Sequence, residues 1–199
     1  MRAPAWPARP SFEIDMRVIA GERKGFRLKS PTGRVTRPTA DQVRIACLDT
    51  LTPWLAGARF LDLFAGSGAI GIEALSRGAH DVVFVESNRR AVATLTENLE
   101  RLALTERSRV ISRDVSKALR MLRVSGERFS LIFADPPYDT PLATLTLTEL
   151  SDGALIEPAG VVVVQHRTKT ALPELRGNLT LWKARRFGET TLTFLRRVE

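Results

Sequence analysis

The sequence predicts an α/β domain built on a mainly parallel sheet with helices on both faces. Three observations carry this expectation. From Arg59 onward, short apolar runs recur: RFLDLF, DVVFVE, RVISRD, FSLIFAD and GVVVVQH. Amphipathic stretches of helical periodicity separate the first four. The runs are almost continuously apolar, as in strands buried on both faces. A glycine-rich segment follows the first run directly, where folds of this class bind ligands at the carboxyl ends of their strands.

Each element can be justified in order. Residues 1–15 are proline-rich and aperiodic, and are expected to form a flexible tail. From Met16, MRVIAGERKGFRLKSP reads as two short strands around a glycine-containing turn, part of a basic β-ribbon over residues 16–37. The main body, residues 38–199, opens with a helix in RPTADQVRIACLDTLTPWL. Val43, Cys47, Leu48 and Leu51 share one stripe of it, with Thr39 as its cap. IGIEALSRG, RRAVATLTENLERLAL and VSKALRML are the helices between the first four strands. At the end, LTLWKARRF and TTLTFLRRV are β-rich and joined by Gly188-Glu189, a hairpin that adds antiparallel strands at one edge. No internal repeat or low-complexity linker divides the body, so it is expected to be one domain.

Composition narrows the functional classes. The 199 residues are 44% hydrophobic and 26% charged, a globular balance. No apolar run approaches the roughly 18 to 20 residues of a membrane span, and the N-terminus lacks the apolar centre of a secretory signal. One cysteine, Cys47, and two histidines, His80 and His166, exclude a disulfide framework and a Cys- or His-built metal centre. A soluble, cytoplasmic protein without metal is expected. The net charge of +8 is unevenly placed. Residues 1–44 hold 10 basic and 4 acidic residues, 45–150 hold 12 and 13, and 151–199 hold 8 and 5. Basic flanks around a neutral middle point to a polyanion gripped at the periphery.

The residues that carry chemistry cluster after the apolar runs. Gly66, Gly68 and Gly71 fit G-x-G-x-x-G between a strand and a helix, a pattern shared by nicotinamide, flavin and other nucleotide-cofactor proteins. Glu86 ends the second strand 20 residues after Gly66, where a carboxylate can accept from two ribose hydroxyls. Asp62 precedes the loop and would repel a pyrophosphate; it suits a ligand with a cationic amino group and no phosphate, such as S-adenosylmethionine. Asp114, ending the third strand, is placed to accept from an adenine amine, or else caps a helix. The tetrad Asp135-Pro136-Pro137-Tyr138 ends the fourth strand. Its prolines remove two N–H donors and leave carbonyls and a carboxylate as acceptors, which suits the two hydrogens of a planar amino group beside a stacking ring. His166 is expected to be structural.

With these motifs, the chain resembles the amino-group methyltransferases that use S-adenosylmethionine. Among them it is similar to the RsmD family, bacterial 16S ribosomal RNA guanine-N2 methyltransferases. The resemblance starts at Met16 and rests on RVIAGERKG, RPTADQVR, DLFAGSGAIGIEALSRGA, FVE, DPPY and FGETTL. It implies a Rossmann-like sheet of seven strands, mostly parallel with an antiparallel C-terminal strand, and methyl transfer to the N2 amine of a guanine. The expected partner is 16S rRNA within a partly assembled small subunit, and the enzyme is expected to be a monomer. The expected catalytic residues are Asp135, Pro136, Pro137 and Tyr138. The expected cofactor contacts are Thr39, Asp62, Phe64, Ala65, Gly66, Ser67, Gly68, Gly71, Glu86, Ser87, Asp114 and Val115. Arg17, Arg23, Lys24, Arg27, Lys29, Arg34 and Arg37 are expected to meet RNA phosphates. Related tetrads also serve enzymes that methylate DNA bases or a protein glutamine amide, and these stay open as alternatives.

Overall fold

A computed structural model describes residues 16–30, 38–173 and 177–198, with a seven-stranded sheet at its centre. The strands are β1 (Arg59–Leu63), β2 (Asp81–Glu86), β3 (Ser108–Ser112), β4 (Phe129–Ala134), β5 (Ile156–Arg167), β6 (Leu179–Phe187) and β7 (Thr190–Arg197). Their spatial order is β3-β2-β1-β4-β5-β7-β6. The first five pair in parallel and β7 enters antiparallel to β5, so the Rossmann-like architecture is as expected. The helices are α1 (Pro38–Leu55), α2 (Ala69–Ser76), α3 (Arg89–Arg101), α4 (Val115–Val124) and α5 (Leu142–Leu150). No helix among the described residues is long and apolar enough to cross a membrane.

Alternation along the strands splits the core in two. Phe60, Val82, Phe84, Leu131 and Phe133 face Leu48 and Leu51 of α1, Ile72 and Leu75 of α2, and Leu95 of α3. Leu61, Leu63, Val83, Val85 and Ile132 face Leu119 and Leu122 of α4 and Leu147 and Leu150 of α5. Burial on both faces explains why these strands read as continuous apolar runs.

Several expectations need correction. The terminal hairpin extends one edge of the sheet, beyond β5, but only one of its strands is antiparallel to the parallel set: β7 lies between β5 and β6, and β6 forms the edge. Because β6 is antiparallel to β7, it runs in the direction of β1–β5. The more apolar strand takes the inner place, since Leu192, Phe194 and Leu195 are buried whereas Leu181 of β6 is 63% exposed. The helix α5 escapes the sequence because Thr144, Thr146 and Thr148 alternate with leucines and mimic a strand. Parallel pairing of β4 with β5 requires a crossover, and α5 supplies it by burying Ala143, Leu147 and Leu150. The first helix begins at Pro38, so Thr39 is its second residue rather than its cap.

Among the described residues the ribbon is an isolated bridge rather than two strands. One antiparallel bridge joins Arg17 to Arg27, and Leu28 N donates to Met16 O at 2.7 Å. Its remainder, with Arg34 and Arg37, lies outside the described residues, as do residues 1–15. The described part is fastened to α2 and α3. The buried carboxylate of Glu73 accepts from Ile19 N at 2.7 Å, Ala20 N at 2.9 Å and Arg77 Nε at 2.9 Å. Ser76 Oγ accepts from Arg23 N at 2.9 Å, and Asn98 exchanges two hydrogen bonds with the backbone of Lys29.

Candidate active site

The strand order reverses between β1 and β4, the switch point at which open α/β sheets leave a crevice outside the carboxyl ends of their strands. Leu63 pairs with Ala134 on one side and with Val85 on the other. The glycine loop, the Asp135 tetrad and Glu86 therefore leave three adjacent strands at one level. Asp135 N donates to Leu63 O at 3.4 Å, holding the tetrad against the start of the loop.

The loop bends in the left-handed region at Phe64 (φ 62°), Gly66 (φ 58°) and Gly68 (φ 84°). Such a value at Phe64, a bulky residue with a side chain, is strain imposed by the surrounding fold. The glycines serve different ends. A Cβ on Gly71 would meet the Phe84 ring at 2.3 Å, and one on Gly68 would meet Leu95 Cδ1 at 2.3 Å, so both are close-packing positions. Among the described residues, Gly66's own chain neighbours aside, no atom lies within 4 Å of where its Cβ would be. Its bareness serves the turn and leaves the backbone approachable by a ligand. Ala65 N donates to Val85 O at 3.0 Å, and the buried Ser67 gives its carbonyl to Asn98 Nδ2 at 3.1 Å.

The carboxylates differ in state. Asp62 is 2% exposed and accepts from Gly71 N at 3.0 Å. Burial, with Asp135 and Glu86 nearby, pushes its pKa from 3.8 to about 8 despite that hydrogen bond. Without a cation beside it, Asp62 is therefore mostly protonated at pH 7. Glu86 accepts from Gly66 N at 2.8 Å through Oε2 and from Asn88 N at 2.7 Å through Oε1. Each oxygen keeps a further lone pair for a ribose hydroxyl. Asp114 caps α4, with Oδ1 accepting from Ser116 N and Lys117 N, so the capping alternative is realised for that oxygen. Val115 is buried behind it, and Ser87 is exposed beside Glu86. The side chain of Thr39 lies outside the described residues.

In the tetrad Pro136 is buried, whereas Pro137 and Tyr138 are exposed, Tyr138 by 37%. The Pro137 carbonyl accepts from Thr140 Oγ1 at 2.7 Å, whereas among the described residues no hydrogen bond to that of Pro136 occurs. The ring of Tyr138 has neighbours that sequence reading did not single out. Its hydroxyl lies 3.0 Å from Thr190 Oγ1 and accepts from Gln165 Nε2 at 3.1 Å. The Arg167 guanidinium stands 5.9 Å from the ring centroid and pairs with Asp139 at 3.2 Å. Thr190 belongs to FGETTL, which was legible as a motif but not as a neighbour of the tetrad. His166 is satisfied by Thr193 Oγ1 and the Arg167 carbonyl, both at 2.8 Å, and burial lowers its pKa. It is a structural histidine. Among the described residues no cluster of metal-ligating side chains occurs.

The ribbon lies along α2 rather than over the crevice. Met16 is near Ser67 at the loop end, whereas Glu22 and Arg23 bond Ser76 at the other end of α2. Arg23 and Lys24 thus stand about 12 Å farther toward the N-terminal ends of the strands, the length of eight helical residues. Arg23 Nε donates to Leu102 O at 2.9 Å, and Lys29 pairs with Glu97.

The chain is similar to known proteins over most of its length. Residues 16–196 match the profile of the family described as conserved hypothetical protein 95. The Bacillus subtilis (strain 168) protein YlbH, provisionally described as an rRNA methyltransferase, is 39% identical over 175 residues, covering 88% of this chain and 95% of YlbH. Ribosomal RNA small subunit methyltransferase D of Escherichia coli K12 is 31% identical over 182 residues, covering 92% and 90%. A hypothetical protein of Thermus thermophilus has a solved structure that matches with a TM-score of 0.77 at 38% identity, over 92% of this chain and 99% of that one.

Proposed function

Since the chain belongs to the conserved hypothetical protein 95 family, the RsmD family, we propose that it transfers a methyl group from S-adenosylmethionine to the N2 amine of a guanine in 16S rRNA. One observation carries this reading: a carboxylate-and-carbonyl acceptor pair, Asp135 and Pro136, leaves the sheet beside a glycine loop backed by a buried carboxylate that calls for a cation. The residues fit S-adenosylmethionine. Asp62 would face its ammonium, Glu86 its ribose, Asp114 and Val115 its adenine, and the bare backbone from Phe64 to Gly68 its body. When bound, the cofactor supplies a methyl group on a sulfonium, an electrophile that needs no further activation.

The protein has to present the amine. Its lone pair is delocalised into the guanine ring and reacts poorly as it stands. Asp135 and the Pro136 carbonyl would accept its two N–H bonds and favour a pyramidal nitrogen aimed at the methyl group, about 3 to 3.5 Å away. Tyr138 would stack on a base extruded from its helix. The extra proton leaves after transfer, so no strong general base is required. The test is direct. Ribosomal RNA from a strain lacking the gene, incubated with enzyme and tritiated cofactor, should take label at a guanine N2. Label appearing only in DNA or on a protein glutamine would overturn the assignment, as would stabilisation of the protein by NADH but not by S-adenosylhomocysteine.

Cofactor affinity should respond to the carboxylates and to pH. Asp62→Ala and Glu86→Ala each remove a charge-assisted hydrogen bond, and each should weaken S-adenosylhomocysteine by roughly 10- to 150-fold in calorimetry. An ammonium beside Asp62 favours its ionised form. Binding should therefore release a proton below pH about 8, and affinity should rise with pH up to that value and then level off. In the ligand-free protein the same raised value acts on folding. The contribution of Asp62 to stability is full below about pH 4 and is lost as pH rises through about 8, so the advantage of Asp62→Asn should grow between those limits.

The ribbon is the electrostatic half of the reading, with Arg17, Arg23, Lys24, Arg27 and Lys29 meeting RNA phosphates. Changing Arg23, Lys24 and Arg27 together to Ala should raise KM for the ribosomal substrate. It should also flatten the salt dependence by about 0.7 in log–log slope for each single-strand phosphate no longer neutralised, with cofactor affinity unchanged. A salt slope equal to that of wild type would reduce the ribbon to a purely structural element.

A further inference from the structure

We infer that the C-terminal hairpin is part of the catalytic apparatus, with Thr190 and Gln165 as positioning residues that clamp the Tyr138 hydroxyl and fix the plane on which the target base stacks. This inference rests on the reading of Tyr138 as the stacking platform, and adds to it the reason the platform stays in place.

An exposed tyrosine at the end of a proline pair is free to rotate about two side-chain bonds unless something holds its far end. Here two groups from different strands do. Thr190 Oγ1 lies 3.0 Å from the hydroxyl, and Gln165 Nε2 donates to it at 3.1 Å. The polarity is consistent: the amide donates and the phenol accepts from Gln165, which leaves the phenol's own hydrogen available to Thr190 Oγ1. The residue after the ring is held as well. Asp139 adopts φ 63° and pairs with Arg167, whose guanidinium stands 5.9 Å from the ring centroid.

The clamp is itself braced. Thr190 is the first residue of β7, immediately after the turn Gly188-Glu189, with Gly188 at φ 58°. It pairs with Phe187 on β6 and with Arg167 on β5. The turn is tied to the segment after β5 by Thr168 N, which donates to Glu189 O at 2.8 Å, and by Thr168 Oγ1, which lies 3.0 Å from Thr191 Oγ1. The hydroxyl of Thr190 thus comes from three registered strands rather than from a mobile tip. The motif FGETTL thereby acquires a physical reason, because its glycine makes the turn and its first threonine reaches the tetrad 52 residues upstream.

The test uses the full-length enzyme. Thr190→Val keeps a β-branched strand residue and removes only the hydroxyl; Tyr138→Phe removes the other partner and keeps the ring. Thr190→Val should lower kcat on ribosomal RNA about three- to tenfold, the effect of one neutral hydrogen bond, and Tyr138→Phe, which also loses the Gln165 bond, by at least as much, with S-adenosylhomocysteine affinity unchanged in both. The double variant should be no slower than Tyr138→Phe alone, because that substitution already deletes the hydroxyl that Thr190 binds, and Thr190→Ser should restore the rate. A readout independent of substrate is also at hand, since Tyr138 is the only tyrosine in the chain. Protein labelled with 3-fluorotyrosine gives one fluorine resonance, which Thr190→Val and Gln165→Met should move and Thr190→Ser should leave near its original position. Additive rate losses in the double variant, or a resonance unmoved by Thr190→Val, would overturn the clamp. If the wild-type enzyme methylates no ribosomal RNA, the functional reading fails, while the fluorine resonance still decides whether the hydroxyl is held.

Discussion

Asp135→Ala is expected to abolish methyl transfer to ribosomal RNA while leaving S-adenosylhomocysteine affinity within a few-fold of wild type. The carboxylate leaves β4 at the level of Leu63, beside the glycine loop and with β1 between it and Glu86. It would thus touch the substrate amine rather than the ribose. An acceptor aimed at a group that changes charge and shape in the transition state contributes more there than in the ground state. Its loss should cost at least about 2 to 4 kcal/mol of barrier, roughly 30- to 1000-fold in rate. Asp135→Asn separates charge from shape: the amide can still accept one N–H bond but offers no negative charge to a nitrogen turning cationic. It should fall between wild type and Asp135→Ala in single-turnover assays at saturating cofactor. Near-normal turnover of the alanine variant would sink the mechanism, because no other carboxylate ends β4.

Glu73→Ala is expected to give the largest loss of stability among single substitutions outside the apolar core. Glu73 is fully buried in α2 and accepts from three donors, Ile19 N, Ala20 N and Arg77 Nε. Truncation leaves two backbone N–H groups unsatisfied and removes one partner from Arg77, whose side chain is only 11% exposed and keeps Asp49 at 2.6 Å. Breaking a buried pair in this way costs about 3 to 5 kcal/mol, which for a domain of this size lowers Tm by roughly 6 to 20 °C. Glu73→Gln keeps one acceptor oxygen and should lose less. Hydrogen exchange should show the segment from Met16 to Lys29 opening first, since Glu73 holds two of its backbone N–H groups against α2. A melting temperature within about 2 °C of wild type would mean that Ser76 and Asn98 hold the ribbon unaided, since even the low end of the expected shift exceeds that.

These expectations draw unequally on sequence and structure. The strands β1, β2, β4 and β5 were legible because burial on both faces leaves an unmistakable apolar pattern, and the loops after them because glycine, proline and carboxylate residues interrupt that pattern. Gly66, Asp62, Glu86 and the DPPY tetrad were accordingly found where the structure brings them together. The helix α5 was not, because leucine alternating with threonine is a strand pattern locally, and only parallel pairing of β4 with β5 makes that segment cross over as a helix. The place of β7 was also hidden, since both strands of the hairpin are β-prone and only competition for the buried slot chooses between them.

The sequence by itself therefore determined the fold class, the loop-bearing ends of the strands and the chemical character of the crevice. These follow from periodicity and from residue type, both local properties of the chain. Tertiary structure alone decided the rest. It set the protonation of Asp62, which depends on burial and on two other carboxylates brought near by strand pairing. It turned Glu73 from one more helix residue into the anchor of a ribbon 53 residues away. It also joined Thr190 to Tyr138 across 52 residues, because β7, inserted antiparallel beside β5, begins next to the end of the tetrad. Pairings of that separation leave no trace in local pattern, since each partner would look the same beside any other neighbour.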